Sequence, residues 1–156
     1  GELQRWLPEE LCRHVLVLAP VGYEFAASNA SHTEVTLFGQ GGMRSVKVRL
    51  IGFELFPWGD DRMLTWSADG TASIWQTTTG ERLRCFGQAG PLSCAAVFPQ
   101  GDRVVACVRR GACAIFSVAT GKAVRALAAN GGVEHIVVFP AGDRIVSWGR
   151  SRHAVL

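Results

Sequence analysis

The sequence predicts an all-β chain in which small four-stranded antiparallel sheets recur and stack face to face. Three landmarks that repeat in one phase carry that prediction. Phe56-Pro57, Phe98-Pro99 and Phe139-Pro140 are spaced by 42 and 41 residues, and Ala19-Pro20 lies 37 before the first. Ile74-Trp75 and Ile115-Phe116 are 41 apart, with Leu37-Phe38 and Leu156 at matching offsets. Thr79-Gly80-Glu81 and Thr120-Gly121-Lys122 are again 41 apart, and Gly1, Gly80 and Gly121 each precede a proline landmark by 19. Landmarks holding phase over a whole chain mark one supersecondary unit per period.

Each proline opens a small turn, and in three of the four an aspartate and an arginine follow: Asp60 to Arg62, Asp102-Arg103 and Asp143-Arg144. Short apolar runs such as Val104–Val108, Ala112–Phe116 and Ala123–Leu127 lie between glycine-, proline- or aspartate-bearing turns. Their lengths suit strands and are too short for helices. A single sheet of this size cannot bury both of its faces. Neighbouring sheets must cover it, which accounts for apolar residues on nearly every strand.

Phe56-Pro57-Trp58-Gly59-Asp60, Met63 to Trp66, Ser67-Ala68-Asp69-Gly70 and Ile74-Trp75-Gln76, closed by Thr79-Gly80, together resemble a WD (Trp-Asp) repeat. The resemblance covers essentially the whole chain and is strongest over 51–86. It implies β-propeller blades of four antiparallel strands, about four blades in all, as a partial propeller or part of a larger ring. Residues 1–14 would be a preceding d strand and link. Blade one (15–50) would place strands near 15–19, 24–28, 34–38 and 45–50. Blade two (51–86) would use 51–56, 61–66, 71–75 and 82–86. Blade three (87–127) would use 93–98, 102–107, 112–116 and 122–127. Blade four (128–156) is incomplete, with strands near 134–139, 143–147 and 152–156. Family rings usually hold about seven blades. Completion is therefore expected from a larger propeller, from a second copy, or from residues 2–7 as the missing d strand.

The family's Trp-Asp pair stands here as Trp75-Gln76, Phe116-Ser117 and Phe38-Gly39, and its Gly-His as Gly87-Gln88. The family's buried set of Asp, His, Ser/Thr and Trp is retained in blade two alone, as Asp69, Ser67 and Trp75, without a histidine. Blades that lack this polar set must lean on apolar packing.

Apolar residues make up 48% of the chain and charged residues 19%, which excludes a disordered tail. A net charge of +3 is too mild to mark a nucleic-acid or membrane binder. The longest apolar run, Val15 to Tyr23, is interrupted by Pro20 and Gly22 and is far below the roughly 20 residues of a membrane span. No secretory pattern opens the sequence. The five cysteines, Cys12, Cys85, Cys94, Cys107 and Cys113, show no CxxC pair. They read as free thiols in a reducing compartment, cytoplasmic or nuclear, with a Cys107–Cys113 bridge across a tight turn as the alternative.

Chemistry-bearing groups are scarce. His14, His32, His135 and His153 lack metal-ligand spacing, and His135 reads as a satisfied or edge residue. Gly39-Gln40-Gly41-Gly42 joins two strands with no helix to hold phosphate, so it is a c–d linker. The recurring aspartates fall in turns, where Asp is favoured. No acids gather toward a central channel, so neither an enzyme nor a cofactor or metal is expected. The sharper candidates are Trp66 and Trp148, at one repeat position, and the b–c turn arginines Arg109, Arg110, Arg150 and Arg152. Tryptophan beside arginine is the composition of an interface centre. The bland alternative is solvated turn arginines and tryptophans packed between blades. The expected function is a protein-interaction scaffold within a larger complex, binding an acidic or phosphorylated segment through that face. The alternative is a ribonucleoprotein-associated propeller using the same basic face to hold RNA.

Overall fold

A computed structural model of the chain describes residues 17–18, 23–28, 34–39, 42–47, 51–57, 60–127 and 132–149, the first four segments as backbone strands alone. Val17–Leu18 (β1), Tyr23–Ser28 (β2), Glu34–Gly39 (β3) and Gly42–Lys47 (β4) form one sheet in chain order. Gly52–Leu55 (β5), Arg62–Trp66 (β6), Thr71–Gln76 (β7) and Arg82–Gly87 (β8) form a second. Leu92–Val97 (β9), Arg103–Val108 (β10), Cys113–Ser117 (β11) and Ala123–Leu127 (β12) form a third. Val133–Val138 (β13) and Ile145–Gly149 (β14) pair as a hairpin, and every pairing is antiparallel. β4 begins earlier than the expected 45–50, because Gly39 pairs directly with Gly42 and closes the β3–β4 hairpin at once. The expected strands at 2–7 and 152–156 lie outside the described residues.

The Phe-Pro landmark has a mechanical reason. In each unit the Phe N–H donates to the carbonyl of the following arginine: Phe56 to Arg62 at 3.0 Å, Phe98 to Arg103 at 2.9 Å, Phe139 to Arg144 at 2.9 Å. The same arginine lays its guanidinium over the ring, 4.3, 4.3 and 4.9 Å from the centroids. Asp60, Asp102 and Asp143 pair with those arginines. Gly101 and Gly142 take φ of 69° and 72° inside the turn, a conformation that a side chain disfavours. The aspartates therefore work as turn and arginine partners, and Gln100 Nε2 ties the third sheet's turn to Ala141 O of the next.

The third sheet shows why its strands are apolar on both faces. Leu92, Ala95, Val97, Val104, Ala106 and Phe116 pack into one core with Phe56, Leu64, Ile74 and Phe86 of the second sheet. Cys94, Ala96, Phe98, Val105, Cys107 and Ile115, interleaved with the first set along the same strands, pack into another core with Val133. Each strand's two-residue alternation feeds two interfaces. Phe86 and Phe116 meet across the first of them, ring centroids 5.2 Å apart. The last strands differ: β8 and β12 are exposed at almost every position. Arg82, Arg84 and Arg125 sit on these rims, where charge discourages edge-to-edge pairing.

Two expectations are corrected here. The hydroxyl that receives the Trp75 indole is Thr65 Oγ1, at 2.9 Å, and not Ser67. Ser67 Oγ instead accepts from the Asp69 N–H, and Asp69 Oδ1 accepts from the Thr71 N–H at 2.8 Å, so both serve the β6–β7 turn. Gln88, standing at the histidine position, donates from Nε2 to Ala106 O. Replacing the buried Thr65 with valine is expected to destabilise by about 1–2 kcal/mol, because the indole N–H loses its acceptor. A shift in the urea midpoint measures it. The second correction concerns the free-thiol reading of Cys107 and Cys113. Strand register sets them directly opposite each other, Cα atoms 4.0 Å apart, and they form a disulfide. Cys85 and Cys94 are free, and Cys12 lies outside the described residues. Among the described residues no helix is long and apolar enough to cross a membrane.

Candidate functional site

The first strands of the second and third sheets and of the hairpin are neighbours: β9 lies against β5 on one side and β13 on the other. A cleft of about 530 Å³ runs along these three strands. Trp66 and Trp148, predicted from one repeat position, both line it. Trp66 ends β6 and spreads its ring over Gly52, the residue facing it on β5. A Cβ at Gly52 would collide with the Trp66 indole, so the glycine makes room for this ring pose. Trp66 also packs on the core between the second and third sheets, which supports the bland reading in part. Trp148 is different. It stands 42% exposed and stacks on His135, its cross-strand partner, with centroids 5.1 Å apart and planes 19° from parallel.

Arg109 and Arg110 are exposed in the β10–β11 turn. The turn is tied to the start of β9 by the Arg109 N–H, which donates to Pro91 O at 2.7 Å. It also abuts the start of β13, since a Cβ at Gly132 would lie 3.7 Å from the Arg110 nitrogen. Pro91 and Gly132 each stand two residues before a cleft-lining residue, Ser93 and Glu134, and neither arginine lines the cleft itself. Arg110 has φ of 63°, the one positive value at a non-glycine position among the described residues. Such a conformation disfavours a side chain by about 1 kcal/mol. Arg150 and Arg152 lie outside the described residues. Phe38 lies on β3 opposite Met43, and its side chain is likewise outside them. Phe116 is buried in the core between the second and third sheets, and Trp75 is half-buried, its indole held by Thr65.

Sequence reasoning expected no acids near the channel, and this is corrected. Glu54 and Glu134 line the cleft together with His135. Glu54, on β5, is the one that reaches across. Its Oε2 accepts from the Val97 N–H of β9 at 3.1 Å, capping the neighbouring sheet's innermost strand. Burial pushes its carboxyl up to about 7, opposed in part by that hydrogen bond. A carboxylate inside the apolar run 51–56 was the signal that sequence reasoning passed over. Ser93 makes the equivalent link on the other side, its hydroxyl donating to Val133 O of β13. Among the described residues no three His, Cys, Asp or Glu side chains are placed to hold a metal ion.

With this geometry, comparison with known structures is direct. The chain is similar to the crystal structure of the WD40 beta propeller domain of Doa1, with a TM-score of 0.70 and 20% sequence identity, over 86% of this chain and 46% of that one. The fold is that of a WD40 β-propeller. The chain thus spans less than half the length of the Doa1 domain that it matches. No protein-family model matches it, and no curated protein matches it in sequence. In this WD40 fold the described sheets are blades, and the cleft lies along their innermost strands.

Proposed function

We propose that the chain is part of a protein-interaction scaffold, and that its docking surface is the cleft between Trp66 and Trp148 with Arg109 and Arg110 of the β10–β11 turn. The carrying observation is that one cleft receives both tryptophans, while the arginine turn is hydrogen-bonded to Pro91, two residues before the cleft residue Ser93. An exposed indole stacked on an imidazole offers a flat, rigid surface at small conformational cost. Paired guanidinium forks suit carboxylate or phosphate oxygens. The partner is therefore an acidic or phosphorylated protein segment that seats an apolar or aromatic side chain in the cleft. Arg150 and Arg152 belong to the same proposal, as do further blades that complete the ring.

The test is the double variant R109E/R110E, read by fluorescence anisotropy against a panel of Asp/Glu-rich and phosphoserine peptides. The wild-type chain is expected to bind members of the panel, and the variant to lose at least tenfold in affinity with an unchanged circular dichroism spectrum. Equal binding by both forms overturns the acidic-segment reading. A single-stranded RNA oligonucleotide that binds instead, with affinity falling steeply as salt rises, moves the face to the nucleic-acid class.

A further inference from the structure

Three cysteines form one row across blade three. Cys107 on β10 is the register partner of Cys113 on β11 and, on its other side, of Cys94 on β9. All three side chains enter the core shared with the β13–β14 hairpin. Cys107 and Cys113 are bridged, and Cys94 is a thiol. Directly paired residues of neighbouring antiparallel strands have Cα atoms about 4.5–5.5 Å apart, with side chains on one face. The central sulfur of the row therefore has a potential partner on each side. Cys94 alone of the three also lines the cleft.

We propose that this row is a two-position disulfide, with Cys94 able to take the bridge from Cys113. The Cys94 thiolate attacks the Cys107 sulfur, and a Cys94–Cys107 bond forms as the Cys107–Cys113 bond breaks. The electron pair of the broken bond leaves on the Cys113 sulfur, which takes up the proton that Cys94 gave away. One disulfide and one thiol stand on each side of the reaction, so no oxidant or reductant is consumed. The attack falls on Cys107 because Cys113 lies one strand further off. In one position the bridge ties β10 to β11. In the other it ties β10 to β9, the strand that forms the cleft wall and touches both neighbouring sheets.

The thiolate is the attacking species, and burial pushes the Cys94 thiol up to about 11, opposed in part by the Ser93 hydroxyl. Exchange is accordingly slow at neutral pH and quickens as pH rises. The residues packed around the row are apolar, from Ala96 and Val105 to Val133 and Ile136. On the cleft side, the titratable neighbours are Glu54 of β5 and Glu134 and His135 of β13.

The experiment uses the full chain in a C85S background, held at pH 7 to 10. Samples are quenched in acid, unfolded with N-ethylmaleimide at mildly acidic pH, and digested with trypsin. Cleavage after Arg84, Arg103, Arg109, Arg110 and Lys122 puts Cys94, Cys107 and Cys113 on separate peptides. The peptide 85–103 joined to 104–109 is expected to appear while the spectrum remains folded. It should form faster at each higher pH and reach on the order of a tenth or more of the bridged material. A C94S variant should hold the 104–109 to 111–122 pair alone. The proposal is overturned if that pair is the only one at every pH, or if the new pair arises only once the circular dichroism signal has collapsed.

Discussion

Replacing Phe98 with alanine is expected to destabilise the chain by about 3–5 kcal/mol, the range for deleting a buried aromatic side chain. The residue is 2% exposed, so nearly the whole ring is lost from packed contact. Three effects coincide there. The ring fills the core between the third sheet and the β13–β14 hairpin, carries the Arg103 guanidinium at 4.3 Å, and stands at the strand end whose N–H closes the hairpin. Alanine keeps the backbone bond and removes the other two. A Phe98→Leu variant refills much of the volume and should recover a large part of the loss. Urea titrations of the three forms read the effect directly. A loss below about 1 kcal/mol for alanine would show that the site collapses around the gap and that the landmark ring is not a packing anchor.

The Glu54→Gln variant carries the second large effect, one that depends on pH. The folded-state carboxyl is raised from 4.5 to about 7. Below pH 4.5 it is protonated in both states and contributes no pH dependence. As pH rises through 4.5 the unfolded chain ionises while the folded one keeps its proton, so wild-type stability falls until pH passes about 7 and then levels. A shift of this size corresponds to at most about 3 kcal/mol. Glutamine keeps an acceptor for the Val97 N–H and has nothing to ionise. The stability of Glu54→Gln relative to wild type should therefore grow by up to about 3 kcal/mol between pH 4.5 and 8. Denaturation midpoints at several pH values measure the difference, in which the histidines cancel. Parallel profiles would show that water reaches this carboxylate in the folded chain.

The periodic part of this structure was legible because each landmark does a local job that any blade must repeat. Phe56, Phe98 and Phe139 announce their turns through a ring, an N–H and a following arginine, all within a few residues. Trp66 and Trp148 could be placed in one region because they share a position in the repeat. What stayed hidden depends on which residues face each other. Ser67 is nearer than Thr65 to Trp75 along the chain, yet the indole bonds to Thr65. The Cys107–Cys113 bridge was legible only as the alternative to free thiols, and the strand register decides for it. Glu54 was not singled out in the sequence, because its role is to reach Val97, 43 residues onward. The stack of His135 on Trp148 likewise needs the β13–β14 register, which contains a bulge.

Blade three shares alternate residues of the same strands with two different neighbours. Its two boundaries cannot therefore be altered independently. A shift of one residue in β10 would send Val105 and Cys107 to the wrong neighbour and Val104 and Ala106 to the other. Melting should spread through such a stack as a row of dominoes falls, each sheet losing its wall when the next one goes. Individual blades are then poor units for dissection, and hydrogen exchange in β9 and β10 should report the collective opening of the stack, while the rims exchange on their own.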